Sequence, residues 1–221
     1  MRFTNSPSSL EGIKSLAGKI ITGLNGGKKV LWLIPGGSNI PITVDVMNII
    51  HQSVGPDYLL NLSITLTDER YGPENHPDSN WKQFIDAGLN IIGIKAYPVL
   101  SDESFSETIV QYGKMIEKLI MESDLIIGQF GMGSDGHIAG ILPHTVVVLE
   151  TGPTSGYESG KFQRITLTFP ILKRIDIAYL FVSEAGKKEA IENLKKDAIS
   201  LGDQPAQILK EIESSYVYVL P

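Results

Sequence analysis

Asp124-Leu125-Ile126-Ile127-Gly128-Gln129-Phe130 runs without a break into Gly131-Met132-Gly133-Ser134-Asp135-Gly136-His137. The first seven residues form a short apolar run, the pattern of a strand buried on both faces. The next seven hold too much glycine to continue it. Strands that stop on glycine-rich loops belong to α/β sheets, in which ligands gather beyond the carboxyl ends of the strands.

Two other segments have the same form. Val30-Leu31-Trp32-Leu33-Ile34 ends in Pro35-Gly36-Gly37-Ser38-Asn39. Leu60 to Leu66 alternates Leu62, Ile64 and Leu66 with Asn61, Ser63 and Thr65, then stops at Thr67-Asp68-Glu69-Arg70. Helical periods separate these strands. Ile42 to Val54 carries Val46, Ile49 and Ile50 on one stripe, and Asp78 or Ser79 caps a helix after the loop Tyr71 to His76. Ser101-Asp102-Glu103 opens a helix reaching about Met121, with Ile109, Tyr112, Ile116 and Ile120 at helical spacing.

Beyond His137, Val146 to Leu149 reads as a strand and Thr151 to Gly160 as a flexible connector. Arg164 to Phe169 and Ile177 to Val182 read as strands, Gly186 to Lys196 and Gln204 to Glu213 as helices. Tyr216 to Leu220 is a last strand. This alternation predicts a single domain over residues 1–221, with a mostly parallel sheet and helices on both faces.

The composition narrows the function classes. A length of 221 residues with 42% hydrophobic content is ample for one buried core. The net charge of −6 argues against a nucleic-acid partner held on a broad basic surface, yet a few placed Arg, Lys and N–H groups suffice for a phosphate ester. With no cysteine, disulfides, thiolate catalysis and cysteine zinc sites are excluded. Met1 to Leu16 has no apolar h-region, and no apolar stretch nears the roughly 20 residues of a membrane span. A cytoplasmic protein without membrane contact is expected.

Three strand ends carry the candidate chemistry. Gly36, Gly37 and Ser38 make either a plain turn or a phosphate cradle, aided by a helix starting near Ile42. Asp68-Glu69-Arg70 is either a solvated charge cluster or, in the sheet crevice, an Arg70 fork for phosphate or oxyanion, oriented by Asp68 and Glu69. Gly131, Gly133 and Gly136 allow close approach of a ligand to His137, which can take a proton from water and return it. Asp135 either holds the imidazole or pairs with an Arg. Of the four histidines, His51 reads as a helix surface residue, His76 as loop-structuring or at the site rim, and His144 as facing solvent. No histidine pair has the spacing of a helical metal site, so no metal is expected. Arg164 begins a strand. Lys187-Lys188 opens a helix, against the dipole preference unless an anion binds there.

Taken in order, Gly36-Gly37-Ser38, Asp68-Glu69-Arg70, His76-Pro77-Asp78-Ser79-Asn80 and Gly131 to His137 resemble the glucosamine-6-phosphate isomerase/6-phosphogluconolactonase family, on its lactonase branch. The likeness continues through Arg164-Ile165-Thr166-Leu167-Thr168, Lys187-Lys188-Glu189-Ala190 and Pro205-Ala206. The resemblance implies a Rossmann-like α/β fold and cofactor-free hydrolysis of 6-phosphogluconolactone to 6-phosphogluconate, in the pentose phosphate pathway. The implied partner is a small phosphosugar lactone, and the protein a monomer or small homo-oligomer. By matching position, His137 resembles the water-activating base and Asp135 its supporting acid. Arg70 and Lys187 resemble ligands of phosphate or developing charge, Gly37 and Ser38 the phosphate loop, and Arg164 a basic substrate-facing position.

Two other readings stand beside it. A glucosamine-6-phosphate isomerase or deaminase typically has a glutamate a few residues after the loop histidine, where this chain has Ile138-Ala139-Gly140-Ile141-Leu142-Pro143. A non-catalytic sugar-phosphate sensor usually carries a DNA-binding helix-turn-helix, for which the 221 residues are expected to leave no room. Asn39, Ser134, Ile138, Gly140 and Lys173 depart from the usual lactonase pattern, with Ser134 standing where proline is common and Lys173 where Asn is usual.

Overall fold

All five side chains of Val30–Ile34 are buried, so the strand they form is covered on both faces. The computed structural model describes residues 1–196 and 199–221. In chain order its first half runs β1 (Arg2–Asn5), α1 (Leu10–Asn25), β2 (Val30–Ile34), α2 (Ile40–Ser53), α3 (Pro56–Leu59), β3 (Leu62–Leu66), β4 (Asp68–Arg70), α4 (Asn80–Asp86) and β5 (Lys95–Tyr97). Then come α5 (Phe105–Glu122), β6 (Leu125–Phe130), β7 (Thr154–Ser159), β8 (Phe162–Leu167), α6 (Phe169–Leu172), β9 (Ile177–Ser183), α7 (Lys188–Leu194) and β10 (Ser214–Leu220).

The main sheet has seven strands in the order β1-β10-β9-β6-β2-β3-β5, and every pairing in it is parallel. The expected α/β class holds, and the sheet is parallel throughout. Its central strands point their carboxyl ends toward the loops after Ile34 and Phe130. A second sheet of three antiparallel strands, β4-β8-β7, stands beside those ends.

The second sheet corrects two expectations. Asp68-Glu69-Arg70 does not end a strand in a loop but forms β4, and Thr151 to Gly160 is no free connector, because β7 runs through it. A period-2 pattern of three residues is too short to read from sequence, and β7 is made mostly of small and polar residues that local apolarity does not mark. Val146–Leu149 is a turn of 3-10 helix rather than a strand. Only Val147 among the four is buried, and Leu149 is 84% exposed, so no neighbour pairs with the run.

Other boundaries shift by a turn or less. The helix expected from Ser101 starts at Phe105, where Ser104 and Glu107 form a reciprocal capping box that the earlier acids do not supply. Ser79 caps α4 by accepting from Lys82 N at 3.2 Å. β8 ends at Leu167, since Phe169 already opens α6, and β3 starts at Leu62. Gly186 to Lys196 narrows to α7, and Gln204 to Glu213 narrows to a 3-10 helix over Pro205–Glu211. Five elements had no counterpart in the sequence reading: β1, β5, α3, α6 and α1. The last buries Ile13, Leu16, Ala17, Ile20 and Leu24 on one stripe. Lys14, Ser15, Gly18 and Lys19 interleave with that stripe, so no apolar run marks it.

Candidate active site

Phe130, buried at the end of β6, hands the chain to a loop that closes on itself. Gly133 N donates to His137 O at 3.0 Å and Gly136 N donates to Gly133 O at 3.1 Å. Asp135 Oδ1 accepts from His137 N at 3.1 Å and lies 2.7 Å from His137 Nδ1. With Nδ1–H donated to the carboxylate, Nε2 is the basic nitrogen of the neutral ring. Partial burial pushes the Asp135 carboxyl upward, but the backbone N–H and ring of His137 outweigh it and hold it below the ordinary 3.8. Gly133 makes this pairing possible. A Cβ there would lie 2.1 Å from His137 Nδ1 and 2.5 Å from Asp135 Oδ1.

His137 lines a cavity of about 300 Å³. Gly36, Gly37, Ser38, Asp68, Arg70, Gly133, Arg164 and Lys187 line it too, so the structure brings these expected residues to one place. Asp135 stands behind the imidazole, outside the lining. Among the described residues, no group of three or more His, Asp or Glu is placed to hold a metal, and no helix is long and apolar enough to cross a membrane.

The loop after β2 supplies one wall. Gly37 has φ +68, a backbone conformation that suits glycine, and the first turn of α2 follows at Ile40. Asn39, which departs from the family pattern, is a buried brace. Its Nδ2 donates to Phe181 O at 3.4 Å, and its Oδ1 accepts from Gln129 Nε2 at 3.3 Å.

The small sheet supplies the opposite wall, and here the expected roles of Asp68 and Glu69 need correction. Neither carboxylate orients the guanidinium of Arg70. Asp68 faces Arg164, with Oδ2 at 3.8 Å from its NH1. Glu69 is fully buried and accepts from Arg70 N at 2.7 Å, Ser79 Oγ at 2.9 Å, Asn80 N at 2.6 Å and Trp81 N at 3.0 Å. Burial pushes its carboxyl up against the pull of these donors. The charge cluster is therefore packed, not solvated, because Glu69 serves the open amides at the start of α4. Arg70 itself donates from NH1 to Asp78 O at 3.0 Å and has no carboxylate partner among the described residues.

Lys187 stands at the N-cap of α7, half-buried, with no ion-pair partner for its ammonium among the described residues. His76 structures its loop through Nε2 against Arg70 O at 2.9 Å. His144 is largely exposed, whereas His51 is half-buried against Asn90 O at 3.1 Å. Of the lining residues, Asn80, Met132 and Ala139 were given no role from sequence, and Gly140 entered only as a departure from the family pattern. Asn80 is 2% exposed, donates from Nδ2 to Asp68 O at 2.9 Å and has an Oδ1 with no partner. Its place next to the capping Ser79 was the available signal. Two departures lie off the cavity: Ser134 is outside its lining, and Lys173 pairs with Glu211 at 2.8 Å.

The family model for glucosamine-6-phosphate isomerases/6-phosphogluconolactonase matches residues 12–218. A rice protein (Oryza sativa subsp. indica) named "Probable 6-phosphogluconolactonase 3, chloroplastic" is 30% identical over 165 residues, 66% of this chain and 50% of that protein. The chain spans about half the length of the curated relatives it matches. Among solved structures, a 6-phosphogluconolactonase from Thermotoga maritima superposes with a TM-score of 0.82 at 19% identity, covering 100% of this chain and 98% of that one. A monomeric glucosamine-6-phosphate deaminase superposes with a TM-score of 0.78 at 17% identity, covering 100% and 97%. At these identities the likeness is one of fold, and that fold is common to both activities.

Proposed function

The chain belongs to the glucosamine-6-phosphate isomerase/6-phosphogluconolactonase family, and we propose that it hydrolyses 6-phospho-D-glucono-1,5-lactone to 6-phosphogluconate. One observation carries the choice within the family. The cavity holds His137 backed by Asp135, while the one carboxylate that lines it among the described residues, Asp68, faces Arg164 at 3.8 Å. The positions after His137, where the sister activity typically has a glutamate, are buried and apolar at Ile138, Ala139 and Ile141.

In this reading His137 Nε2 takes a proton from water as the water oxygen attacks the lactone carbonyl carbon. Asp135 keeps the proton on Nδ1 and stabilises the imidazolium. Negative charge collects on the carbonyl oxygen. Arg70, Arg164 and Lys187 divide between that oxygen and the phosphate, with the amides around Gly36, Gly37 and Ser38 on the phosphate side. The bond from the carbonyl carbon to the ring oxygen then breaks, and the imidazolium returns its proton to that oxygen. General-base assistance of this kind contributes about 10²–10⁴-fold, which is useful against an ester that already hydrolyses unaided.

The test is lactone hydrolysis above the spontaneous rate, for wild type and His137→Ala. Wild type exceeds the background and the variant falls close to it. No excess rate, or full rate in His137→Ala, overturns the reading. Ammonia release from glucosamine 6-phosphate would assign the isomerase or deaminase activity instead, and phosphosugar binding without turnover a sensor.

A further inference from the structure

Two arginines stand opposite each other on neighbouring strands of the small sheet. Arg70 on β4 is in register with Arg164 on β8, so their side chains leave the same face. Like charges directly opposite cost stability, and these two retain further unmet demand. The Nε of each is buried and has no hydrogen-bond partner. Both line the cavity.

One aromatic ring lies close to both. Phe162 lies two residues before Arg164 on β8, hence on the same face and diagonal to Arg70. The Cζ of Arg70 lies over the Phe162 ring at 5.1 Å from its centroid, and that of Arg164 at 5.7 Å. Lys161 Nζ approaches the same ring at 4.7 Å, but it is exposed and has Asp78 Oδ1 at 3.8 Å. Unlike Lys161, both arginines line the cavity, Arg70 without a carboxylate partner among the described residues and Arg164 with Asp68 Oδ2 at 3.8 Å from its NH1.

We propose that Phe162 is a positioning residue for anion recognition: its ring holds Arg70 and Arg164 side by side as one clamp for the phosphoryl group of the substrate. The claim rests on the phosphosugar reading above. The ring offers each guanidinium a negative face that does not consume its N–H donors, so the donors not already turned to Asp78 O and Asp68 remain for a dianion. An aliphatic side chain of similar size fills the same space without that attraction, and mutual repulsion then spreads the two cations before ligand arrives. Phe162 lies outside the cavity lining, behind the two arginines, and its effect is confined to ligands that carry phosphate.

The experiment measures binding of 6-phosphogluconate and of gluconate by calorimetry, for wild type, Phe162→Leu and Phe162→Tyr. Two cation–π contacts correspond to about 5- to 30-fold weaker phosphogluconate binding in Phe162→Leu. Gluconate binding stays unchanged, and Phe162→Tyr restores the wild-type value. In turnover, the loss in Phe162→Leu falls on KM rather than kcat. Phosphogluconate affinity unchanged in Phe162→Leu, equal loss for gluconate, or no recovery in Phe162→Tyr overturns the proposal. If Phe162→Leu does not fold, Phe162→Met carries the same decision. A wild type that binds phosphogluconate but turns over no lactone removes the lactonase reading and leaves the clamp standing. A wild type that binds none removes both.

Discussion

Replacing Gly133 by alanine adds one methyl group at the point where the loop folds over its own histidine. The new Cβ would stand 2.1 Å from His137 Nδ1, 2.3 Å from Cε1 and 2.5 Å from Asp135 Oδ1, against 3.4 Å for ordinary contact. Gly133 is not among the residues at positive φ, so the substitution tests crowding and not backbone strain. The ring or the carboxylate has to retreat by about 1 Å, and a displacement of that size at a reacting group costs up to ~10²-fold in rate. The lost hydrogen bond to a charged partner, about 1.5–3 kcal/mol, corresponds to a similar 10- to 100-fold range. The dyad is partly exposed, with the His137 side chain at 37%, so stability should change little. The assay is kcat on the lactone beside a thermal melt. Gly18→Ala serves as the control, since its Cβ meets nothing within 4 Å and alanine favours the helix by about 0.5–1 kcal/mol. If Gly133→Ala keeps the wild-type kcat, the Asp135–His137 pairing is not what the reaction uses.

Glu69→Gln should lower stability by about 1–3 kcal/mol, because an amide nitrogen would confront donors that now meet a carboxylate. A melting temperature lower by roughly 2–12 °C is expected, together with weaker phosphosugar binding as Arg70 and Asn80 lose their anchor. An unchanged melt would show that the buried carboxylate organises nothing. Asp135→Asn should reduce kcat by about 10²-fold by releasing the imidazole tautomer, a loss within the range of general-base effects. Its pH dependence follows from the lowered Asp135 carboxyl. The native pairing contributes fully above the ordinary 3.8 and is lost as pH falls through the lower folded value. Melting curves of wild type and Asp135→Asn should therefore converge at the acid end, and a gap persisting there would contradict the pairing.

The parallel sheet and the His137 loop were readable because burial on both faces leaves uninterrupted apolar runs such as Val30–Ile34, and glycine marks their ends. The small sheet was not. β4 is three residues long and all charged, and β7 pairs through Thr154, Gly156 and Glu158, residues with no apolar signature. That sheet decides the site all the same, since its register sets Arg70 opposite Arg164. Local sequence likewise hides that Asp68 answers Arg164 and that Glu69 answers backbone amides, because both choices are made by strands and helices distant in sequence. Asn39 and Lys173 both depart from the lactonase pattern, but Asn39 lines the cavity with its side chain committed to Phe181 and Gln129, and Lys173 sits outside the lining.

The seven-stranded sheet closes at β1 and β5, strands of four and three residues whose outer rims carry unpaired amides and carbonyls. Arg2 on one and Lys95 on the other are exposed. Rims this short, each with a cation acting as gatekeeper, give a second chain little length on which to add a strand. The arrangement guards a strongly apolar sheet against edge-to-edge aggregation at the concentrations of purification and crystallisation.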